Sequence, residues 1–207
     1  MKTKCFIINY NRITLTSKLA DWCSAHDLEV IIIDNASTYP PLAEYYKNCG
    51  YKVIRSDHNF GHMVLWYDGI INSIKDKFIL TDPDLDLSGV PDDFLDVMNR
   101  GLRKYPSFSK IGLSLEINDL QGTPFEAWEK KFWEKPLDKM YFEADVDTTF
   151  SLNIPSAFTY KSLRTNRPYT ARHIPWYYTD ISLLPEDEQY YIKTASRSFS
   201  WKNKIIN

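Results

Sequence analysis

The sequence predicts an α/β fold in which a mixed, mainly parallel sheet is flanked by helices. Short apolar runs rich in β-branched residues alternate with helical stretches through residues 5–86. Each apolar run ends in polar residues, and in open sheets of this kind ligands bind beyond the carboxyl ends of the strands. The second half is richer in aromatic residues and less regular, so we expect a smaller region there that completes the sheet.

The first predicted unit is a strand, a helix and a second strand. The continuous apolar runs Cys5 to Ile8 and Val30 to Ile33 are typical of strands that are covered on both faces. Between them, Thr16 to His26 places apolar residues at helical spacing, with a threonine available as the N-cap. A helical crossover of this length predicts that the two strands are parallel.

The same order of elements follows twice more. A helix is predicted from Tyr39 to Cys49, with prolines in its first turn, and a strand from Tyr51 to Ile54. After a polar turn, a helix from Met63 to Ile74 leads to the strand Lys77 to Leu80, which ends just before an acidic segment. The carboxyl ends of these parallel strands are therefore expected to meet at one edge of the sheet.

Fewer signals mark the second half. Lys110 to Leu115 is predicted to be a strand, the aromatic stretch Phe125 to Phe142 a helix, and Asp147 to Leu152 a further strand. We expect a loop from Arg164 to Arg172. A last helix is expected to begin within Pro185 to Glu188, because acidic residues suit a helix N-terminus.

The composition is that of an ordinary globular protein. With 207 residues, of which 43% are hydrophobic and 25% charged, the chain can bury a core without a metal or disulfide staple. A formal net charge of -2 leaves no basic footprint for a phosphate backbone, so we expect no nucleic acid partner. We predict one domain over residues 1–207, with residues 1–100 and 101–207 as its two halves.

Cysteine usage and apolar runs favour a cytoplasmic location. The three cysteines include no C-x-x-C pair, so neither a disulfide framework nor a zinc site is indicated. No run approaches the roughly 20 apolar residues that span a bilayer, and the N-terminal apolar run is too short for a signal peptide. We expect no transmembrane segment, and any membrane attachment is expected to be peripheral, since Trp201 to Ile206 is too short to anchor the chain alone.

The segment TDPDLD at residues 81–86 carries the clearest chemical signal. Its acids Asp82, Asp84 and Asp86 directly follow the predicted strand Lys77 to Leu80. Alternate carboxylates on such a turn suit one hard divalent cation, Mn²⁺ or Mg²⁺, which prefers oxygen ligands. The same residues are compatible with an acidic turn that caps the next helix, although the position at a strand end favours the metal.

Four segments at or near predicted strand ends form a joint pattern: Ile7 to Arg12, Ile31 to Ser37, Asp57 to His62 and Phe78 to Asp84. Together they resemble the GT-A fold of nucleotide-sugar glycosyltransferases and are similar to the inverting group known as family 2. They occur in the order and at the spacing of that family. Any one of them is a weak signal because strand-then-acid patterns are common, whereas their joint occurrence is specific.

The resemblance implies that the first half binds a nucleotide-sugar donor, expected to be a UDP-sugar. It places Asn9 and Tyr10 against the base and Asp34 on the base's ring N–H. A carboxylate at a strand end can read a pyrimidine edge by hydrogen bonding, although Asp34 is also compatible with a plain turn. The donor-binding residues implied in this way are Asn9, Tyr10, Arg12, Asp34, Asn59, Gly61 and Asp82.

The resemblance also implies a metal ion and a catalytic base. An inverting transfer needs one carboxylate to take the proton of the acceptor hydroxyl while the metal stabilises the leaving diphosphate. Asp147 is the first candidate for this base, with Asp145 and Asp180 as alternatives, because the acidic pair that the family carries before a late helix is not recognisable here. The metal ligands implied are Asp84, Asp82 and His173, of which His173 is equally compatible with a structural role.

The expected reaction transfers a sugar to a hydroxyl of a glycan or glycolipid. One alternative is a non-catalytic nucleotide- or glycan-binding module that keeps the metal site without a base. A second is a Mg²⁺-dependent phosphotransfer domain of the receiver type with Asp82 as phosphoacceptor, which the long aromatic second half disfavours. A Rossmann dehydrogenase is disfavoured because no G-x-G-x-x-G follows the first strand.

Overall fold

The structure, a computed structural model, describes residues 2–195. The strands of this part of the chain are β1 (Lys4–Asn9), β2 (Glu29–Asn35), β3 (Lys52–Ser56), β4 (Phe78–Thr81), β5 (Leu85–Asp86), β6 (Lys110–Gly112), β7 (Ser114–Leu115), β8 (Tyr141–Glu143), β9 (Ser151–Asn153), β10 (Leu163–Thr165) and β11 (Thr170–His173). The α-helices are α1 (Thr14–Ala25), α2 (Leu42–Asn48), α3 (Val64–Tyr67), α4 (Phe94–Lys104), α5 (Pro124–Glu129) and α6 (Glu186–Thr194).

An eight-stranded sheet in the order β3-β2-β1-β4-β9-β6-β10-β8 runs through the molecule. Strands β1 to β4 are mutually parallel, with Ile7 of β1 between Ile32 and Thr81. Strand β9 is antiparallel to β4 and β6, while β10 is parallel to β6. The predicted α/β class with a mixed, mainly parallel sheet is therefore confirmed, and the two predicted halves share one sheet.

The parallel strands alternate their side chains between two apolar layers. Ile7 joins a core with Leu19 of α1 and Met98 of α4 on one face. Ile8 joins a second core with Leu65 of α3 on the other face. Burial on both faces explains why these strands are continuous apolar runs in the sequence, and it leaves only their ends for polar chemistry.

Two of the predicted elements are interrupted in the structure. The helix expected from Met63 to Ile74 is limited to α3 and short 3₁₀ turns, because Gly69 adopts a left-handed φ of 70° that ends the helix. The strand expected from Lys110 to Leu115 is divided at Leu113. Its first part, β6, stays in the main sheet, and its second part, β7, pairs with β11 in a three-stranded sheet of order β5-β11-β7.

Three further predictions for the second half are wrong in part. The helix expected from Phe125 to Phe142 ends at Glu129, and β8 closes that stretch. The strand expected to begin at Asp147 begins at Ser151. The loop expected from Arg164 to Arg172 contains β10 and β11, because the backbone there pairs with strands that are distant in the sequence.

The last helix is confirmed as α6, which carries Glu186, Asp187 and Glu188 in its first turn. The segment Trp201 to Ile206, considered above as a membrane anchor, lies outside the described residues. Within residues 2–195, the helices are too short or too polar to cross a membrane.

Candidate functional site

A cleft of about 540 Å³ opens where the end of β4 meets the segment before β9. Strand pairing creates this meeting point, because the antiparallel register sets Leu80 against Ser151 and the N–H of Asp82 donates to the carbonyl of Thr148 at 3.1 Å. Strand β11 brings in His173, which pairs with Leu85 in the small sheet. The cleft is lined by the predicted residues Asp82, Asp84, Asp145, Asp147 and His173.

Asp82 lies partly buried at the cleft floor, where the Thr148 hydroxyl donates a hydrogen bond to its Oδ2 atom. Burial raises the pKa of Asp82 well above its usual range, and the charges of Asp84 and Asp147 raise it further. Such mutual repulsion among carboxylates is relieved by a proton or by a cation. A cation bound beside these carboxylates would therefore offset their repulsion.

Asp84 is buried and lies against a guanidinium group and an imidazole ring. Its Oδ2 atom accepts from Nη1 of Arg12 at 2.7 Å and lies 3.5 Å from Nε2 of His173. Burial alone would raise the pKa of Asp84, but the nearby His173 and Arg12 outweigh it and hold that pKa well below its usual value. Asp84 is therefore ionised and fixed in orientation, which suits a carboxylate that binds a cation.

Asp147 is exposed to the cleft, and one of its two carboxylate oxygens is anchored. Its Oδ1 atom accepts from the backbone N–H groups of Thr148 at 2.7 Å and Thr149 at 3.2 Å, and from the Thr149 hydroxyl. Loss of hydration inside the protein would by itself raise the pKa of Asp147. The charge of Arg164 and these hydrogen bonds outweigh that effect, so the pKa is lowered. The carboxylate is thus ionised and held, as a general base must be.

The predicted donor-binding residues on β1 and β2 lie outside the cleft lining. Asn9 is fully buried, and its side-chain amide donates to the carbonyl of Arg12 and to the hydroxyl of Tyr46. Asp34 is only 1% exposed, since it accepts from the Ser37 N–H and from Nε of Arg55. Both residues stand at strand ends, as predicted, but their polar atoms are turned toward the protein.

Arg12 and Tyr10 are also turned inward. Arg12 is 2% exposed, and its guanidinium lies beneath Asp84, so it contacts the predicted metal ligand from within the protein. Tyr10 packs edge-on against Tyr191 of α6. On the other side of the sheet, Asn59 accepts from the N–H of Gly61 in an exposed turn.

The structure does not bring Asp180 to the cleft. Its carboxylate caps a short turn by accepting from the N–H of Ser182 at 2.8 Å and from the hydroxyl of that serine. A side chain engaged in this way at an exposed turn stands apart from the residues that line the cleft. Asp145 and Asp147 are therefore the aspartates outside the 81–86 segment that face it.

The cleft also contains charged and aromatic residues that were not predicted from the sequence. Glu129 and Arg164 form a buried ion pair at its wall, with Arg164 also stacked on Phe132 at 4.2 Å. At the rim, Trp128 is 46% exposed and carries the ammonium group of Lys131 over its ring at 3.6 Å. The sequence gives no local signal for this ion pair, because Glu129 stands among other charged residues and Arg164 lies 35 residues further along the chain.

The donor set of the cleft fits a divalent cation that is shared with a ligand. Asp84 and His173 face each other at 3.5 Å, and the buried Nδ1 of His173 lacks a hydrogen-bond partner within the described residues. No group of three or more His, Cys, Asp and Glu side chains in residues 2–195 is arranged to hold a metal alone. Cations of the Mg²⁺ type are commonly held by one or two carboxylates together with substrate phosphates.

Comparison with solved structures finds matches at low sequence identity. A mannosyltransferase from Pyrobaculum calidifontis, solved with GDP-Man and Mn²⁺, is 17% identical with a TM-score of 0.41, over 57% of this chain and 36% of that chain. A glucosyl-3-phosphoglycerate synthase from Mycobacterium tuberculosis, solved with Mn²⁺, UDP-Glc and glycerol 3-phosphate, is 12% identical with a TM-score of 0.46, over 73% and 56%. S. aureus TarS 1-349 is 14% identical with a TM-score of 0.49, over 93% and 64%.

At identities of 12% to 17% and TM-scores of 0.41 to 0.49, these matches say nothing about the reaction or the substrates of this chain. The chain spans 36% to 64% of the length of these structures. No family model matches the sequence. No curated protein matches it either.

Proposed function

We propose that this chain is a metal-dependent inverting glycosyltransferase that moves a sugar from a nucleoside diphosphate, UDP in the first instance, to a hydroxyl of a glycan or glycolipid. One observation carries the proposal. A fixed, ionised carboxylate beside an imidazole, Asp84 with His173, shares a single cleft with a second fixed carboxylate, Asp147. The first pair suits a cation and diphosphate, and the second suits a proton acceptor.

On the donor side, Asp84 and His173 would hold Mn²⁺ or Mg²⁺, with Asp82 beside them toward the ribose. The bound cation would supply positive charge to the diphosphate as it leaves. Arg12 supports this arrangement from within the protein by fixing one oxygen of Asp84. The direct donor contacts proposed for Asn9, Tyr10, Asp34, Asn59 and Gly61 rest on the family resemblance.

On the acceptor side, Asp147 would accept the proton of the acceptor hydroxyl. The hydroxyl oxygen then forms a bond to the anomeric carbon, and the bond from that carbon to the diphosphate oxygen breaks, so that the nucleoside diphosphate leaves with the bonding electrons. Because one oxygen of Asp147 is occupied by Thr148 and Thr149, the other is directed to this task. Asp145 remains the alternative base in the same cleft.

A second candidate is a non-catalytic nucleotide- or glycan-binding module that keeps the metal site without a base. The lowered pKa of Asp147 favours it, because a carboxylate with a lowered pKa is a weak proton acceptor. In such a module UDP binding would still need the divalent ion and would be unchanged in Asp147→Asn. Sugar release from a UDP-sugar would be absent at any metal concentration.

Titration calorimetry with UDP and Mn²⁺ tests the donor site. We expect wild-type protein to bind UDP only with Mn²⁺ present, and Asp84→Asn to lower the affinity by at least ~100-fold, since the substitution removes a ligand charge. Asp86→Asn is the matched control, because Asp86 bonds the N–H of Ser88 and stands outside the cleft lining. If Asp84→Asn binds UDP as tightly as the wild type and its circular dichroism is unchanged, the metal-bridged donor site is refuted.

A further inference from the structure

Residues 145–147 form an irregular segment whose three consecutive backbone carbonyls are all bound by buried cationic side chains. The carbonyl of Asp145 accepts from Arg164, and those of Val146 and Asp147 accept from Lys110. The segment lies between assigned strands, since β8 ends at Glu143 and β9 begins at Ser151. Its conformation is held by these two side chains together with one backbone hydrogen bond, from the N–H of Val146 to the carbonyl of Tyr160 at 3.2 Å.

Lys110, at the start of β6, is 2% exposed. Its ammonium group donates to the carbonyls of Val146 at 2.6 Å, Asp147 at 2.7 Å and Thr159 at 3.1 Å. An ammonium group has three donors, so all of them are used. Lys110 thereby ties the segment that carries Asp147 to the loop that carries Tyr160, which also lines the cleft.

Arg164, on β10, holds the beginning of the same segment. Its Nε donates to the carbonyl of Asp145 at 2.9 Å, while Nη1 pairs with the buried Glu129. The guanidinium is planar, so these bonds and the stacking on Phe132 fix its orientation. Two neighbouring strands thus each contribute one rigidly held cation to a single segment.

Fixing the backbone carbonyls of residues 145–147 also fixes the directions in which the side chains of these residues point. Val146 is fully buried and packs directly on Gly112, where an added Cβ would lie 2.8 Å from Val146 Cγ2. With Val146 fixed inward, the neighbouring side chains of Asp145 and Asp147 are directed into the cleft. Burial lowers the pKa of Lys110 to about 8, and the three carbonyl groups that its ammonium group binds offset the cost of burying that charge.

We propose that Lys110 and Arg164 are positioning residues, which hold the backbone of residues 145–147 so that the Asp147 carboxylate meets the acceptor hydroxyl. This inference rests on the proposed function. Neither side chain touches the reacting atoms. Their effect is transmitted through the backbone carbonyls that they bind.

The test uses Lys110→Met, Arg164→Lys and the control Lys139→Met in the full chain. Lysine at position 164 keeps a cation beside Glu129 but is too short to reach the Asp145 carbonyl as well. Lys139 is exposed and stands outside the cleft lining. The assay measures UDP release with Mn²⁺ from whichever of UDP-glucose, UDP-galactose and UDP-N-acetylglucosamine the wild type hydrolyses fastest, with water as the acceptor.

We expect Lys110→Met and Arg164→Lys to lower kcat by roughly 10- to 100-fold, the scale expected when a catalytic group is displaced by about 1 Å. The KM for the UDP-sugar should stay within about twofold, since the donor is held by the Asp82 and Asp84 side of the cleft. In an Asp147→Asn background, the same substitutions should have almost no further effect, because residues that act through one group are non-additive. Lys139→Met should match the wild type.

The possible results separate the positioning role of Lys110 and Arg164 from the proposed function. Unchanged kcat in both variants, a loss that adds fully to that of Asp147→Asn, or a rise in KM at constant kcat would overturn the positioning role while leaving the glycosyltransferase intact. A wild type that releases UDP from none of the three donors overturns the proposed function and this inference with it. If Lys110→Met fails to fold by circular dichroism, Arg164→Lys decides by the same criteria.

Discussion

At the scale of single residues, Arg12 combines deep burial with two acidic partners. Its guanidinium contacts Asp84 at 2.7 Å and Glu188 at 3.1 Å and lies 3.7 Å from the centre of the Tyr191 ring. A buried ion pair contributes little net stability, but removal of one partner leaves an uncompensated charge in a medium of low polarity. Arg12 therefore matters chiefly because its acids cannot remain buried without it.

We predict that Arg12→Met lowers the free energy of unfolding by about 3–5 kcal/mol, because the buried Asp84 and Glu188 both lose their guanidinium partner. Urea unfolding followed by circular dichroism measures the change. The double variant Arg12→Met with Glu188→Gln should lose less free energy of unfolding, since it removes one of the two buried carboxylates that no longer face a guanidinium. A double variant that is as unstable as the single one, or a single variant as stable as the wild type, would contradict this account.

Residue chemistry was predictable from the sequence where it is set by local position. Asp82 and Asp84 follow a buried strand directly, so the chain itself delivers them to the sheet edge. The partners of Arg12 and Lys110 were not predictable, because Glu188 and the carbonyls of residues 146 and 147 reach them only after distant elements pack. His173 was found by family resemblance, whereas its place beside Asp84 follows from the pairing of β11 with β5.

At the scale of elements, an ion pair joins the end of β7 to the turn between β10 and β11. Glu116 accepts from Nη2 of Arg167 at 2.7 Å and from the backbone N–H groups of Ile117 and Asn118, both at 2.9 Å. Burial alone would raise the pKa of Glu116, but the hydrogen bonds from Arg167 and the backbone lower it to about 2. The carboxylate is thus bound more tightly as an anion in the folded state.

We predict a matching pH dependence of stability. A depressed folded pKa stabilises the fold above the usual value of 4.5, and this stabilisation is lost as the pH falls toward about 2. Relative to wild type, Glu116→Gln should lose about 2 kcal/mol at pH 6, an estimate reduced for solvent screening, and almost nothing near pH 2. Urea midpoints from pH 2 to pH 6 measure the difference, with the exposed Glu134→Gln as control. A constant difference across that range would refute the linkage.

Elements differ in how well their sequences reveal them. The parallel strands β1 and β2 are covered on both faces, so each is a continuous apolar run that was recognised directly. Strands β10 and β11 are only three and four residues long and carry arginines, which made residues 164–172 look like a loop. Their β structure is stabilised by pairing with β6, β7 and β8, which sequence periodicity does not record.

At the scale of the whole molecule, α6 connects the end of the described chain to its beginning. The backbone N–H groups at the start of α1 have no cap of their own, because the N-cap residue is Ile13. Asp187 of α6 supplies the cap, since its Oδ2 accepts from the N–H groups of Ile13 at 2.6 Å and Thr14 at 2.7 Å, and Oδ1 accepts from the Thr14 hydroxyl. A carboxylate here also complements the positive end of the helix dipole.

We predict that Asp187→Ala lowers the free energy of unfolding by about 1–2 kcal/mol, the usual cost of losing a helix cap. Because the same side chain fastens α6, backbone amides of residues 188–194 should also exchange hydrogen faster with solvent than they do in the wild type. Hydrogen exchange with mass spectrometry measures both α6 and the first turn of α1. The neighbouring exposed Glu186→Ala removes an equal charge without this contact and should leave both regions protected. If the two variants exchange alike, α6 is held by its apolar contacts and the Asp187 carboxylate is dispensable. If only Asp187→Ala increases exchange in both helices, the Asp187 side chain couples α6 to α1.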